Sequence, residues 1–201
     1  MTKGYSFSEL ISGSISLVLT KVFYPGARLV RRPAYIRGKA YLQYGEGFTT
    51  GYHCRFDLTG EPGGGAGKNE KRLVIGKNCK IGDNVHIVAS KKVIIGDDCL
   101  FASKIFISDT NHGRYDGVQA KSSPVVPPDD RPLSTAEVRI GDRVWIGENV
   151  VILPGVTIGN GSIIGANALV NRDVPMNSIA VGSPARVIKV WDSPSESWVK
   201  R

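Results

Sequence analysis

Three histidines and three cysteines are the side chains of this chain best suited to proton transfer or nucleophilic attack, and their surroundings separate them. His53 and His86 lie on or beside regular apolar patterns, whereas His112 sits in the irregular polar string DTNHGRYDG. An imidazole accepts a proton near neutral pH, so a histidine held outside the packed interior is the natural candidate for a general base. No His-x4-His pair exists, so a histidine metal site is not expected, and a G-x-S-x-G nucleophile elbow is missing as well. Cys79 and Cys99 fall on small interior positions of the repeat described next and read as packing residues; Cys54 stays open between packing and reactivity.

The pair Ile-Gly occurs at Ile75, Ile81, Ile95, Ile140, Ile146, Ile158 and Ile164. From Ile140 an apolar residue recurs every sixth position, through Ile146, Ile152, Ile158, Ile164 and Val170 to Met176. Neither a helix nor a flat strand keeps one buried face at that period. Short strands joined by sharp corners do, and three such sides close a triangular coil of about eighteen residues, the building unit of a hexad solenoid. Ile75, Ile81 and Ile87 form one such coil. Ile95, Phe101 and Ile107 form the next after a two-residue slip, and Val30, Ile36, Leu42 and Phe48 form a less regular first one. The residues four after each key position (Cys79, Val85, Cys99, Val144, Val150, Val156, Ser162, Ala168, Val174) are small or β-branched and suit a narrow interior. The coils predict a prism about 30 Å long at strand spacing.

Two segments leave the repeat. Residues 59–71 are glycine-rich and polar and predict a surface loop; the Gly-Lys pair there lacks the strand-to-helix setting of a phosphate-binding loop. Residues 108–137 form a longer excursion carrying His112, and a loop of that length in an economical solenoid points to function. Its Arg114 and Lys121 are expected to face an acidic glycan. The chain of 201 residues therefore divides into an N-terminal helical appendage over 1–27, a β-helix over 28–190 and a tail over 191–201.

The net charge of +8 and pI near 9.5 favour an anionic ligand or surface, with Arg28, Arg31, Arg32, Arg37 and Lys39 clustered near the first coil. No motif that reads nucleic acid accompanies the charge, so nucleic acid is not an expected partner. Three cysteines, no signal peptide and no run of eighteen apolar residues predict a cytoplasmic setting. The stretch from Phe7 to Tyr24 predicts a helix capped by Ser6 or Ser8 with Glu9 in its first turn. Covering the open strand edge of the prism is its favoured role, and lying on the inner membrane surface is the alternative.

The stretches NVHIVASKKVIIGDDCLFASKIFISDTNHG, VRIGDRVWIGENVVILPGVTIGNGSIIGANALVNRDVP and AVGSPARVIKV resemble the hexapeptide-repeat acyltransferases. They are similar to the maltose/galactoside acetyltransferases and more so to the O-acetyltransferases of lipopolysaccharide O-antigen and colanic acid. The resemblance runs from about Ile75 to Val190. It implies an all-β, left-handed parallel β-helix with a short N-terminal helix and a protruding loop at about 108–137, although crossovers are usually right-handed. It also implies a homotrimer holding acetyl-CoA between subunits, and a sugar or polysaccharide precursor as acceptor. By position, His112 matches the catalytic histidine and Asn84 an acceptor contact, with Asp109 and Asn111 beside the acceptor. Trp145, Gly147, Glu148 and Ala166 match the cofactor cleft, Asn171 and Arg172 replace a Thr-Lys pair there, and Arg186 and Lys189 match its nucleotide end. Asp109 or a backbone carbonyl is expected to orient His112. No metal is expected. The implied reaction is direct O-acetylation of a surface-polysaccharide sugar. An amino-sugar N-acetyltransferase or a galactoside or serine O-acetyltransferase is the alternative, and a non-catalytic scaffold is the reading of a different class.

Overall fold

The computed structural model describes residues 4, 6–59, 70–115 and 122–201. Within them the chain winds as a left-handed parallel β-helix with three faces. One interior column of the first face runs Val30, Thr50, Ile81, Phe101, Ile146, Ile164 and Ala180, each paired in register with the next coil. The second column runs Ile36, Phe56, Ile87, Ile107, Ile152 and Val170. The third runs Tyr44, Ile75, Ile95, Ile140 and Ile158 and ends in a bridge to Val174.

Two expectations about register change. Leu42 and Phe48 are buried, but they sit two residues before the columns, which pass through Tyr44 and Thr50. The Gly38 turn and the single helical turn Lys39–Tyr41 insert two residues after Ile36. Met176 is exposed, because the chain slips again after Val170 and puts Val174 and Ala180 inside instead. The small positions hold throughout: Cys79, Val85, Cys99, Val144, Val150, Val156, Ser162, Ala168 and Val174 are all buried.

The corners explain the asparagines. Asn78, Asn84, Asn149, Asn167 and Asn177 all adopt positive φ, the left-handed conformation that asparagine tolerates better than most residues. Cys54, Cys79 and Cys99 donate their thiols to the carbonyls of Gly82, Gly96 and Gly141 in the following coil, at 3.0–3.1 Å. Burial pushes the Cys54 thiol up to about 11, far from a reactive thiolate, so the residue left open by the sequence is a packing residue.

Both ends of the prism are closed. Helix α1, Phe7–Phe23, is capped by Ser6 and Glu9 in a reciprocal capping box. It lies on the open edge of the first coil, where Thr20 Oγ1 accepts from the Val30 N–H at 2.8 Å and Ser16 Oγ from the Arg32 N–H at 3.2 Å. At the far end, strand Ser178–Val181 pairs antiparallel with Arg186–Asp192, which pairs with Ser197–Lys200. Residues 191–201 are thus no free tail: Trp191 and Trp198 meet edge to face at 5.5 Å, and the hairpin covers the last edge. Of the glycine-rich loop expected over 59–71, residues 60–69 lie outside the described residues, as does Lys121.

Candidate active site

His112 stands on an arm that departs from the second face. Strand Phe106–Ser108 ends its coil, and the chain then turns outward into an antiparallel hairpin of Thr110–His112 with Leu133–Thr135. Asp109 makes that departure possible. It is fully buried, and its carboxylate accepts the Ser90 N–H at 2.9 Å and those of Lys91 and Lys92 at 2.7 Å each. The Thr110 hydroxyl donates to it as well, at 2.6 Å, while the Asp109 carbonyl accepts from the Ala136 N–H. One residue therefore anchors the base of the arm, its carboxylate on a corner of the preceding coil and its carbonyl on the returning strand. With its oxygens turned into the coil, Asp109 fixes the arm's base and does not reach the imidazole.

At the tip the His112 backbone is held from two sides. Its register partner is Leu133, and its carbonyl accepts from the Tyr115 hydroxyl, which in turn accepts from Arg131 at 3.1 Å. Gly113, at φ 108°, makes the turn, accepting from Ser134 at 2.7 Å and donating to Pro132 at 2.9 Å. The imidazole itself is exposed. Asn111 lines a cleft of about 790 Å³ with Gly113, Ser134, Ala136 and Pro154. Leu133, the register partner of His112, lines it too.

Asn84 occupies a corner before strand His86–Val88, and His112 lies beyond the end of Phe106–Ser108, its paired neighbour. The two candidates lie at opposite ends of the second face. Four of the cofactor candidates, Trp145, Gly147, Glu148 and Ala166, by contrast lie together at one corner. Trp145 points outward from the first face between Leu100 and Ile163, half exposed at 50%. Two residues on, a Cβ at Gly147 would lie 2.6 Å from the Ala166 nitrogen, so only glycine lets the coils meet.

Along this corner each coil's backbone N–H is taken by a side chain of the next. Asp83 accepts from Tyr52 at 2.7 Å, Ser103 from Asp83 at 3.0 Å and Glu148 from Ser103 at 3.0 Å. The next position is Ala166, which carries no oxygen for the Glu148 N–H. The series ends there, leaving a donor beside Gly147 and Trp145. Further along, Arg172 and Arg186 line one cleft of about 340 Å³ together with Arg201. Lys189 does not line it; its strand neighbours are Ile179 and Lys200. Asn171 is exposed just past Val170.

Sequence reasoning missed three features. Arg201 joins the cationic cleft only because the C-terminal hairpin folds back, with its N–H on the Ile188 carbonyl. Tyr115 and Arg131 buttress His112 from across the arm. On the outer second face, Asp57 accepts from Arg55 at 2.6 Å and pairs with His86 at 3.0 Å and Arg37 at 3.5 Å. Burial raises the Asp57 pKa, but hydrogen bonds from Arg55 and His86 outweigh it and hold the carboxyl below its ordinary value. The basic cluster of the first coil also divides: Arg28 and Arg31 join Lys80 in a groove on the first face, Arg37 turns to Asp57, and Arg32 and Lys39 turn to α1.

Residues 137–172 match the family model for bacterial transferase hexapeptide (six repeats). Over 200 residues, all of this chain and 97% of the relative, 40% of positions are identical to WbbJ of Escherichia coli (strain K12), assigned by inference as a lipopolysaccharide biosynthesis O-acetyl transferase. The chain belongs to the hexapeptide-repeat acyltransferases. The galactoside O-acetyltransferase of the same organism is 39% identical to this acyltransferase over 115 residues, 57% of this chain and 52% of that one. A solved galactoside acetyltransferase in complex with coenzyme A superposes with a TM-score of 0.54 at 29% identity, over 76% of this chain and 70% of that one.

Proposed function

We propose that this acyltransferase moves acetyl from acetyl-CoA to a sugar hydroxyl of a surface polysaccharide or its lipid-linked precursor. It works as a cytoplasmic homotrimer in peripheral contact with the inner membrane surface. The observation that carries the reading is the construction of the arm: a buried aspartate, a tyrosine and an arginine hold the backbone of an exposed histidine. Such expenditure of structure on an exposed imidazole suits a positioned proton acceptor.

In this reading His112 takes the proton of the acceptor hydroxyl as its oxygen attacks the thioester carbonyl. The tetrahedral oxyanion collapses, the carbon–sulfur bond breaks, and His112 returns the proton to the thiolate of CoA. The sugar ester and free CoA leave. No acyl-enzyme is needed, since all three cysteines are interior packing residues. Arg172, Arg186 and Arg201 offset the phosphate charges of CoA, and the Glu148 N–H is free to bind an amide carbonyl of the pantetheine arm beside Trp145. Asp109 serves as a positioning residue for the arm. Asn84 and His112 lie at opposite ends of one face, which supports a site shared between neighbouring subunits. The galactoside acetyltransferase solved with coenzyme A supports the choice of donor, and WbbJ the choice of acceptor class.

The test is release of free thiol from acetyl-CoA with a panel of sugar acceptors, run beside a measurement of solution mass. Sugar-dependent release by a trimer is the expected result. Transfer only to amino sugars would move the reading to N-acetylation, and a fully active monomer would defeat the shared site.

A further inference from the structure

Helix α1 is amphipathic in the reverse of the usual sense. Its buried residues are Ser16 and Thr20, because the surface it covers is a polar strand edge that needs hydrogen bonds rather than an apolar core. The opposite stripe is therefore apolar and open: Phe7, Ile11, Val18 and Val22 are 80%, 46%, 63% and 65% exposed, with Ile15 beside them. At 100° per residue these four positions fall within one narrow sector pointing away from the first coil.

The helix and the first coil carry a positive balance, although Arg28 and Arg31 lie on the first face with Lys80 and Arg37 pairs with Asp57. Between Phe7 and Gly45 the chain carries Lys21, Arg28, Arg31, Arg32, Arg37 and Lys39 against one carboxylate, Glu9, which is spent on the Ser6 cap. Two of them sit directly at the helix. Arg32 lines a groove with Ile11 and Ile15 and lies 5.9 Å from the Phe23 ring centroid. Lys39 donates to the Phe23 carbonyl and lies 4.4 Å from the Tyr24 ring centroid.

We propose that the outer stripe of α1 docks on an anionic phospholipid bilayer, the helix lying in the plane of the interface. An apolar stripe flanked by lysine and arginine is the composition that partitions there, with the side chains among the acyl chains and the cations at the headgroups. Position argues for lipid over a second copy of the chain. The helix closes the end of the prism, so its open stripe faces along the prism axis. Subunits that share clefts pack side by side along the prism's flanks and leave that end uncovered. In the trimer proposed above, three parallel prisms present three such helices on one end, and their binding is multiplied. This end-face argument rests on that trimer, and the lipid contact itself does not depend on acetyl transfer. The dimensions agree with a surface contact, since among the described residues no helix is long and apolar enough to cross a membrane.

The test is co-sedimentation of the full chain with phosphatidylglycerol/phosphatidylethanolamine vesicles and with phosphatidylcholine vesicles. Binding to the anionic vesicles is expected to exceed that to phosphatidylcholine roughly tenfold and to fall steeply when salt is raised to about 0.5 M. The triple variant Ile11→Ser, Val18→Ser, Val22→Ser is expected to lose roughly tenfold or more in partitioning, with solution mass and thermal unfolding preserved. Absence of binding by the unaltered protein, or equal binding by the variant, overturns the proposal. A drop in the variant's solution mass overturns it too, by assigning the stripe to a subunit contact. The salt series on the unaltered protein keeps the test decisive if the variant folds poorly, and vesicle binding is read without any acyl acceptor.

Discussion

The coil corners and the hairpin arm handle the same physical demand, a turning backbone with polar groups to satisfy, in contrasting ways. At the corners the solution is distributed: glycines, left-handed asparagines and side chains that take the N–H of the coil before recur from coil to coil. No single bond matters much, because identical neighbours back it up. The arm has no such repetition. Its attachment rests on the Asp109 carboxylate and the Ser108 hydroxyl, and its tip on Tyr115, Arg131 and Ser134. Repetition gives rigidity without choice, whereas the unique arm aims one imidazole. The difference suggests that changes in the arm act first on turnover and changes in the coils first on stability.

The largest expected effect comes from His112→Ala. Turnover should fall about 10²–10⁴-fold, with unfolding temperature, solution mass and affinity for acetyl-CoA near those of the unaltered protein. Steady-state kinetics and a thermal melt check both halves; near-normal turnover would dissolve the contrast. Asp109→Ala sits where the two regions join and should move both quantities. Losing three charge-assisted backbone bonds is expected to cost about 2–4 kcal/mol of stability, seen as a lower denaturation midpoint. Turnover should fall as the arm loosens, while Asp109→Asn should rescue part of the stability.

Arg201→Gln tests whether the C-terminal cleft serves the donor. The KM for acetyl-CoA is expected to rise roughly tenfold with kcat little changed, and the effect should shrink in high salt. An unchanged KM would return Arg201 to a structural role.

The smallest effect is electrostatic and belongs to the coils. Because the Asp57 carboxyl is held below its ordinary value, the folded state favours its charged form. That stabilisation is complete above the unfolded aspartate's pKa of about 3.9 and fades as pH falls through the lower folded value. Denaturation midpoints compared between pH 6 and pH 3 should therefore show Asp57→Asn losing less stability on acidification than the unaltered protein, by about 1 kcal/mol or less given the exposed Arg55 partner. Equal losses would show that the ion cluster carries no such coupling.

Much of the fold was written in local pattern. The interior columns from Ile75 to Val170 follow the hexads residue by residue, since a side chain's placement depends only on where it falls within six positions. The pattern failed at Leu42, Phe48 and Met176, where a two-residue insertion after Ile36 and a two-residue deletion after Val170 shifted the register without leaving a clear trace in a run of apolar residues. The site was legible in the same uneven way. Trp145, Gly147, Glu148 and Ala166 follow one another along a single corner, so their grouping could be inferred from the repeat. Arg201, Tyr115, Arg131 and the Asp57 cluster could not, because each meets its partner across a fold-back or between coils whose spacing the insertions had altered.

The sequence by itself determined the three-sided coil, the packing role of Cys79 and Cys99, the N-terminal helix with its cap at Ser6 or Ser8 and the position of His112 outside the repeat, all properties set by periodicity and by residues close in the chain. Only the tertiary structure decided that Asp109 turns its carboxylate inward to hold the arm, and that α1 buries serine and threonine while leaving its apolar stripe open. Those outcomes depend on which polar backbone groups lie bare at a coil corner or a prism edge. Such groups exist only once the coils have closed, and the side chains then turn to satisfy them.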